Sequence, residues 1–276
     1  MKSLTSIFEN IWSDYTAFNP HAKTIYDQIL AHECQNHPEA RALVNDHIAL
    51  RTFNHPRLNI EVLGRLFEKH GYEAKGEYHF EDKKLYARHW ENADPQVPKV
   101  FISELLTQHF SPRVREIADT AAASFTDAQL AAPEILWAGR PWRASHSVYQ
   151  EILKESEYAA WLYAFGFRCN HFTVYFNALK SFADLNELND FLIGKGHKLN
   201  AAGGLIKGTP QECLEQSSTL AGKVQLDFTD GRFEVPACYY EFARRYRQAN
   251  GQLYTGFIAS SADKIFESTN VQQSSR

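Results

Sequence analysis

Cysteine is scarce in this 276-residue chain and never clustered: Cys34, Cys169, Cys213 and Cys238 lie far apart. No two of them have the CxxC spacing of a zinc or redox motif, so the expectation is reduced thiols in a cytoplasmic protein. No apolar run approaches the roughly 20 residues needed to span a bilayer, and no membrane helix is expected. The opening stretch "MKSLTSIFENIWSDY" carries Glu9 and Asp14 where an export signal is apolar, so no such signal is legible. An excess of charge of one sign is missing too. The formal net charge of −4 gives no electrostatic reason to expect nucleic acid or an anionic membrane as a partner.

Hydrophobic residues make up 44% of the chain and aromatic residues 13%, enough for a sizeable core. The first 45 residues read as a helical layer, with Ile7, Ile11 and Trp12, then Ile25, Ile29 and Leu30, at helical spacing around "NPHA". "HPEARALV" (37–44) is expected to add a short helix. From "HIALRTF" (47–53) the pattern turns to strand, helix, strand, strand, strand, ending on "KVFISELL" (99–106). Residues 111–166 are helical again. "FRCNHFTVYF" (167–176) then restarts the order, "DLNELNDFLIGKG" (184–196) supplies its helix, and "KVQLDF" and "RFEVPACYYEF" flank a hairpin turn at "TDG". "GQLYTGFIASS" (251–261) is expected as a further strand.

The expected fold class is therefore α+β. Two βαβββ-type modules, 46–110 and 167–268, share a single domain with a helical layer (1–45) and a helical insertion (111–166), and 269–276 form a disordered tail. The repeat is loose. "DHIALRTFN" corresponds to "NHFTVYFN", and each module closes on a strand bearing a glutamate, Glu104 in "FISEL" and Glu241 in "CYYEF".

His47 and His171 open the two modules, and a strand places Glu241 on the same face as Tyr239. Two imidazoles and one carboxylate form the facial triad suited to Fe(II) and oxygen chemistry. A single histidine on a strand is more often a core residue than a ligand. Recurrence at matching repeat positions raises the metal reading, with Glu104 as a rival ligand. Arg51 shares a strand face with His47, and no acid lies on that face within the run. Its partner must come from elsewhere in the fold or from a ligand.

"HIALRTF", "NHFTVYFNAL", "YYEFARR" and "GFIASSADKIFEST" together resemble the 2-oxoadipate dioxygenase/decarboxylase family, similar in fold to the vicinal-oxygen-chelate superfamily. The resemblance covers roughly residues 40–268. It implies Fe(II) held by His47, His171 and Glu241, with Arg51 binding a substrate carboxylate and Ile258 touching the substrate from the late "GFIASS" strand. Zinc or nickel can displace iron in purified protein. It also implies oxidative decarboxylation of a 2-oxo acid, 2-oxoadipate foremost, by O2 to 2-hydroxyglutarate and CO2. Phe53, Phe172, Tyr175 and Phe176 are expected to wall the site. Members assigned to 2-oxoadipate are longer than this chain, so the substrate is less closely specified than the metal site. A metal-dependent isomerase or hydrolase, favoured if Glu104 were a fourth ligand, and a non-enzymatic small-acid binder are the alternatives.

Overall fold

The computed structural model describes residues 2–269. Its first helices form where apolar residues recur at helical spacing. Helix α1 (Leu4–Phe18) starts behind Ser3, whose hydroxyl accepts from the Ser6 amide at 3.2 Å, and it buries Ile7, Ile11 and Tyr15. Pro20 opens α2 (Pro20–Asn36), at the one turn where a missing amide hydrogen leaves no gap, and Ala22, Ile25 and Ile29 face the core. The expected helix over 37–44 does not form. The segment holds Pro38, is too short to nucleate alone, and turns instead, with Arg41 donating to the carbonyls of Pro38 and Ala40.

The first module then follows in the expected order: β1 (Asn45–Phe53), α3 (Ile60–Glu68), β2 (Tyr72–Phe80), β3 (Leu85–Asn92) and β4 (Lys99–Leu105). The helical insertion comprises α4 (Pro112–Ala123), α5 (Asp127–Leu130), α6 (His146–Leu153) and α7 (Glu157–Phe165). The second module contains β5 (Cys169–Tyr175), α8 (Leu185–Gly194), β6 (Lys207–Thr209), β7 (Leu214–Ser218), β8 (Lys223–Phe228), β9 (Gly231–Pro236) and β10 (Tyr239–Arg245). Helix α9 (Ala259–Phe266) follows.

Eight strands form one sheet in the order β2-β3-β4-β1-β5-β10-β7-β6. Counted outward from its centre, each half repeats: an opening strand, a parallel partner, then two antiparallel strands. This is the two-module architecture, with β1, β4, β3 and β2 matching β5, β10, β7 and β6. Three expectations for the second module are corrected. The β8–β9 hairpin forms a two-stranded sheet of its own, and Pro236, lacking an amide hydrogen, ends β9 before β10 begins. The sheet strands in its place are β6 and β7. Nor is 251–261 a strand: it makes one isolated bridge, Leu253 to Arg247, and then a loop leading into α9. The loop carbonyls of Tyr254 and Gly256 are taken by the Arg245 guanidinium rather than by a ladder. Of the expected tail, Thr269 closes a short 3₁₀ turn and 270–276 lie outside the described residues.

The modules meet where β1 and β5 pair antiparallel. His47 faces Thr173 and Ala49 faces His171, so each histidine lies opposite the residue two beyond the other. The seam is therefore internally twofold. One face of the sheet packs under α1, with Trp12 and Tyr15 at 4.9 and 5.1 Å from Phe172. Helix α9 crosses the other, concave face, touching β2 near one edge and β6 and β7 at the other.

Extending the twofold relation to the flanking strands settles which residue matches Glu241. Thr173 is paired with Glu241, and its equivalent Ala49 is paired with Phe101. Glu104 is three residues further on, and its Oε2 accepts from the Ile60 amide at 3.0 Å, at the first turn of α3. Glu104→Ala is expected to cost about 1–2 kcal/mol of stability, read by denaturant unfolding, with metal content unchanged. Loss of metal in Glu104→Gln would return that residue to the site.

Candidate metal centre

Each candidate histidine follows a bulge. Between the pairs Asn45–Val174 and His47–Thr173, β1 carries one extra residue, Asp46; between Ala49–His171 and Leu50–Cys169, β5 carries Asn170. Both bulged residues turn their side chains onto the next imidazole. Asp46 Oδ1 lies 2.8 Å from His47 Nδ1, and Asn170 Oδ1 lies 3.1 Å from His171 Nδ1. An oxygen on Nδ1 holds the proton there and leaves Nε2 as the electron-pair donor. The His47 Nε2 in fact has the Thr173 hydroxyl beside it at 3.1 Å.

Both Nε2 atoms point at Glu241: His47 Nε2 is 3.7 Å from Oε1 and His171 Nε2 is 3.3 Å from Oε2. The three donor atoms lie within 4.8 Å of one another, and all three residues are buried. Burial pushes Glu241 up to about 8 and lowers both imidazoles, His171 well below its ordinary range with His47 and Arg51 adding to the effect. Gln216 Nε2 donates to Glu241 Oε1 at 2.5 Å and fixes the carboxylate. Two neutral imidazoles and a carboxylate turned toward each other fit a divalent cation better than they fit one another. On the twofold-related side, Phe101 stands where a fourth ligand would be. Among the described residues, three side chains, His47, His171 and Glu241, could hold a metal ion here.

Asp46 does more than orient His47. Its carboxylate forms a buried two-pronged pair with Arg245, at 2.6 Å to Nε and 2.8 Å to Nη2. Burial opposes charge on Asp46, but the guanidinium and the imidazole hydrogen bond outweigh it and hold the carboxyl below the ordinary range. Arg245 also donates to the carbonyls of Tyr254 and Gly256, at 3.2 and 2.7 Å, and so fixes the loop that sets Phe257 edge-on against His47, ring centroids 4.7 Å apart.

The cavity at the triad, about 20 Å³, is lined by His47, His171, Glu241, Gln216, Tyr239, Phe101 and Phe257, with Ala262, Ile265 and Phe266 closing it from α9. Arg51 is 3% exposed and borders a separate cavity of about 200 Å³. Phe266 stands between, lining both. The guanidinium lies over the rings of Tyr158 and Trp161 at 4.9 and 5.1 Å, and Nη2 reaches Thr269 Oγ1 at 3.5 Å. Its Nε and Nη1 find no partner among the described residues. Ile258 is the half-buried residue preceding α9 and is absent from the cavity lining; the neighbouring Phe257 points in. The expected aromatic wall is also different. Phe172 faces α1, and Phe53, Tyr175 and Phe176 do not line the cavity, whereas Phe101, Tyr239, Phe257 and Phe266 do.

The family model for 2-oxoadipate dioxygenase/decarboxylase matches residues 2–252. This chain belongs to that family. Among its relatives, the chloroplastic/amyloplastic 2-oxoadipate dioxygenase/decarboxylase of Oryza sativa is 32% identical over 98% of this chain and 80% of that protein. Among solved structures, the rice hydroxyglutarate synthase in complex with 2-oxoadipate matches at 31% identity and a TM-score of 0.90, over 98% of this chain and 93% of that one. A Shewanella frigidimarina protein described provisionally as a hydrolase matches at 46% identity and 0.87, over 94% and 99%. A glyoxalase-superfamily protein from Ralstonia eutropha, 20% identical with a TM-score of 0.62 over 89% and 86%, shares the fold. Membership places the chain in an enzyme family.

Gln216, Asp46, Asn170 and Arg245 were not singled out from the sequence. Asp46 and Asn170 did carry a signal, since an Asx residue precedes each repeat histidine. Gln216 carried none, because its strand is short and polar. His47→Ala, His171→Ala and Glu241→Ala are each expected to abolish stoichiometric metal binding while circular dichroism stays close to that of the unsubstituted protein. Below about pH 8 an incoming cation must displace the Glu241 proton, so metal affinity, measured by titration, is expected to rise as pH is raised toward that value.

Proposed function

We propose that this protein is a ferrous-iron-dependent dioxygenase and decarboxylase of a 2-oxo acid, with 2-oxoadipate as the leading substrate. The observation that carries the reading is the convergence of His47, His171 and Glu241 with Phe101, not a fourth ligand, at the twofold-related place. His47, His171 and Glu241 would hold the iron, and the 2-oxo acid would meet it from the concave face. When bound, the iron supplies Lewis acidity, a template and electron transfer for dioxygen chemistry. The overall reaction, 2-oxoadipate plus O2 giving 2-hydroxyglutarate plus CO2, balances without a second organic co-substrate. The rice protein's complex with 2-oxoadipate supports the substrate class.

The chain's own residues bind, orient and keep dry. Asp46 and Asn170 hold the imidazole tautomers, and Gln216 holds the carboxylate. Arg51, with two buried donors that find no partner among the described residues, receives a carboxylate of the acid in a charge-assisted pair. Phe101, Phe257 and Phe266 keep water from the reacting atoms. A cavity of about 20 Å³ takes an ion or one water, so a six-carbon acid enters only when α9 gives way and the two cavities join across Phe266. Four unpaired cysteines agree with action in a reducing compartment, which we take to be the cytoplasm. The isomerase or hydrolase reading would be favoured by a fourth ligand, and Glu104 caps α3 instead.

Oxygen consumption is expected to track CO2 release one to one over a panel of 2-oxo acids, and chelation to stop both. Equal turnover without oxygen would sink the oxygenase reading. Arg51→Lys keeps the charge and loses the fork, so 2-oxo acid affinity is expected to fall roughly 10- to 150-fold with iron content unchanged. A lowered melting temperature with affinity preserved would show that Arg51 serves the fold.

A further inference from the structure

Two neighbouring tyrosines, Tyr239 and Tyr240, are fully buried, and neither hydroxyl has a partner among the described residues. A buried hydroxyl without a hydrogen bond is a cost that phenylalanine would avoid at the same volume. Adjacent residues on a strand point to opposite faces, and the two side chains lie in different surroundings. Tyr240 faces the helical layer, with ring centroids 6.2 Å from Trp12 and 6.5 Å from Tyr15, and it lines neither the triad cavity nor the Arg51 cavity. Tyr239 faces the concave side and lines the cavity that holds the triad.

Three facts about Tyr239 point to a ligand. Its ring is stacked on His171, centroids 4.5 Å apart and planes 26° apart, so the phenol is held beside a candidate metal ligand and cannot swing away. Its strand partner is His171, which pairs in turn with Ala49, two residues before Arg51, so the phenol, the imidazole and the guanidinium share one face of the sheet. The Nε and Nη1 of Arg51 are likewise buried donors without partners. Three unfilled donors on one buried face call for a ligand rich in acceptor oxygens that runs from the metal toward Arg51. An anionic 2-oxo acid, with its keto and carboxylate oxygens, has that chemistry.

We propose that Tyr239 is a substrate-contacting residue whose hydroxyl donates a hydrogen bond to an oxygen of the bound 2-oxo acid. The assignment rests on the 2-oxo acid reading above and adds a second recognition element to Arg51.

The test is calorimetric titration of 2-oxoadipate into the iron-loaded protein without oxygen, comparing the unsubstituted chain with Tyr239→Phe and Tyr240→Phe. Tyr239→Phe is expected to bind about 10- to 100-fold more weakly, with iron content unchanged and a melting temperature no lower. Tyr240→Phe, which removes the matching hydroxyl on the far face, is expected to bind as the unsubstituted protein does. Binding by Tyr239→Phe within about twofold of the unsubstituted chain overturns the assignment, as does a loss matched by Tyr240→Phe or by a fall in iron content or melting temperature. Failure of the unsubstituted protein to bind 2-oxoadipate overturns the 2-oxo acid reading itself, and this assignment with it.

Discussion

The antiparallel pairing of β1 with β5 is the constraint on which the rest depends. Among the described residues it is the one ladder that joins the two modules, and it sets His47 and His171 on a common face across a twofold-related pair of contacts. Strand pairing has a period of two, so a slip of one residue would turn an imidazole to the helical side of the sheet. The bulges at Asp46 and Asn170 stand against such a slip. Each adds one unpaired residue at a related place, and each extra residue binds the imidazole that follows. The irregularities that fix the register also fix the tautomers.

The repeat supplies the frame, and its departures from symmetry supply the chemistry. Glu241 and Phe101 occupy equivalent places, so one side of the centre offers a carboxylate and the other an apolar ring. Asp46 and Asn170 are equivalent as well, yet only Asp46 carries charge, and Arg245 must be buried with it. A carboxylate on Nδ1 would make His47 the more electron-rich of the two candidate ligands, whereas His171 has a neutral amide. Removing either member of the Asp46–Arg245 pair would strand a charge in the interior. Because Arg245 also holds the loop carrying Phe257, ligand orientation and the cover of the cavity share one anchor.

Burial sharpens every polar contact here. In a dry interior, hydrogen bonds and charges act more strongly than at a surface, and an unfilled donor is correspondingly expensive. Among the described residues, the concave face holds buried polar atoms without partners: donors on Arg51 and Tyr239, and an acceptor, the side-chain oxygen of Gln216. They lie beneath α9, a helix that also closes the cavity, so these three are groups a ligand could reach once the helix moves.

Much of this was legible in the chain alone. Alternation placed His47 with Arg51 and Tyr239 with Glu241, because a strand's faces follow from parity, and the repeated strand–helix–strand order showed two modules. The helix stops and the β8–β9 turn were readable because glycine, proline and Asp-Gly act locally. The tertiary structure decided what depends on partners distant in sequence. It made Phe101 rather than Glu104 the counterpart of Glu241, since pairing between strands some fifty residues apart leaves no local trace. It drew Gln216 into the site from a five-residue polar strand. It also turned the stretch before α9 from an expected strand into a loop, because the carbonyls a ladder needs are held by the guanidinium of Arg245. Side-chain period and turn chemistry are properties of neighbouring residues. Register, and the partner of a buried charge, belong to the assembled fold.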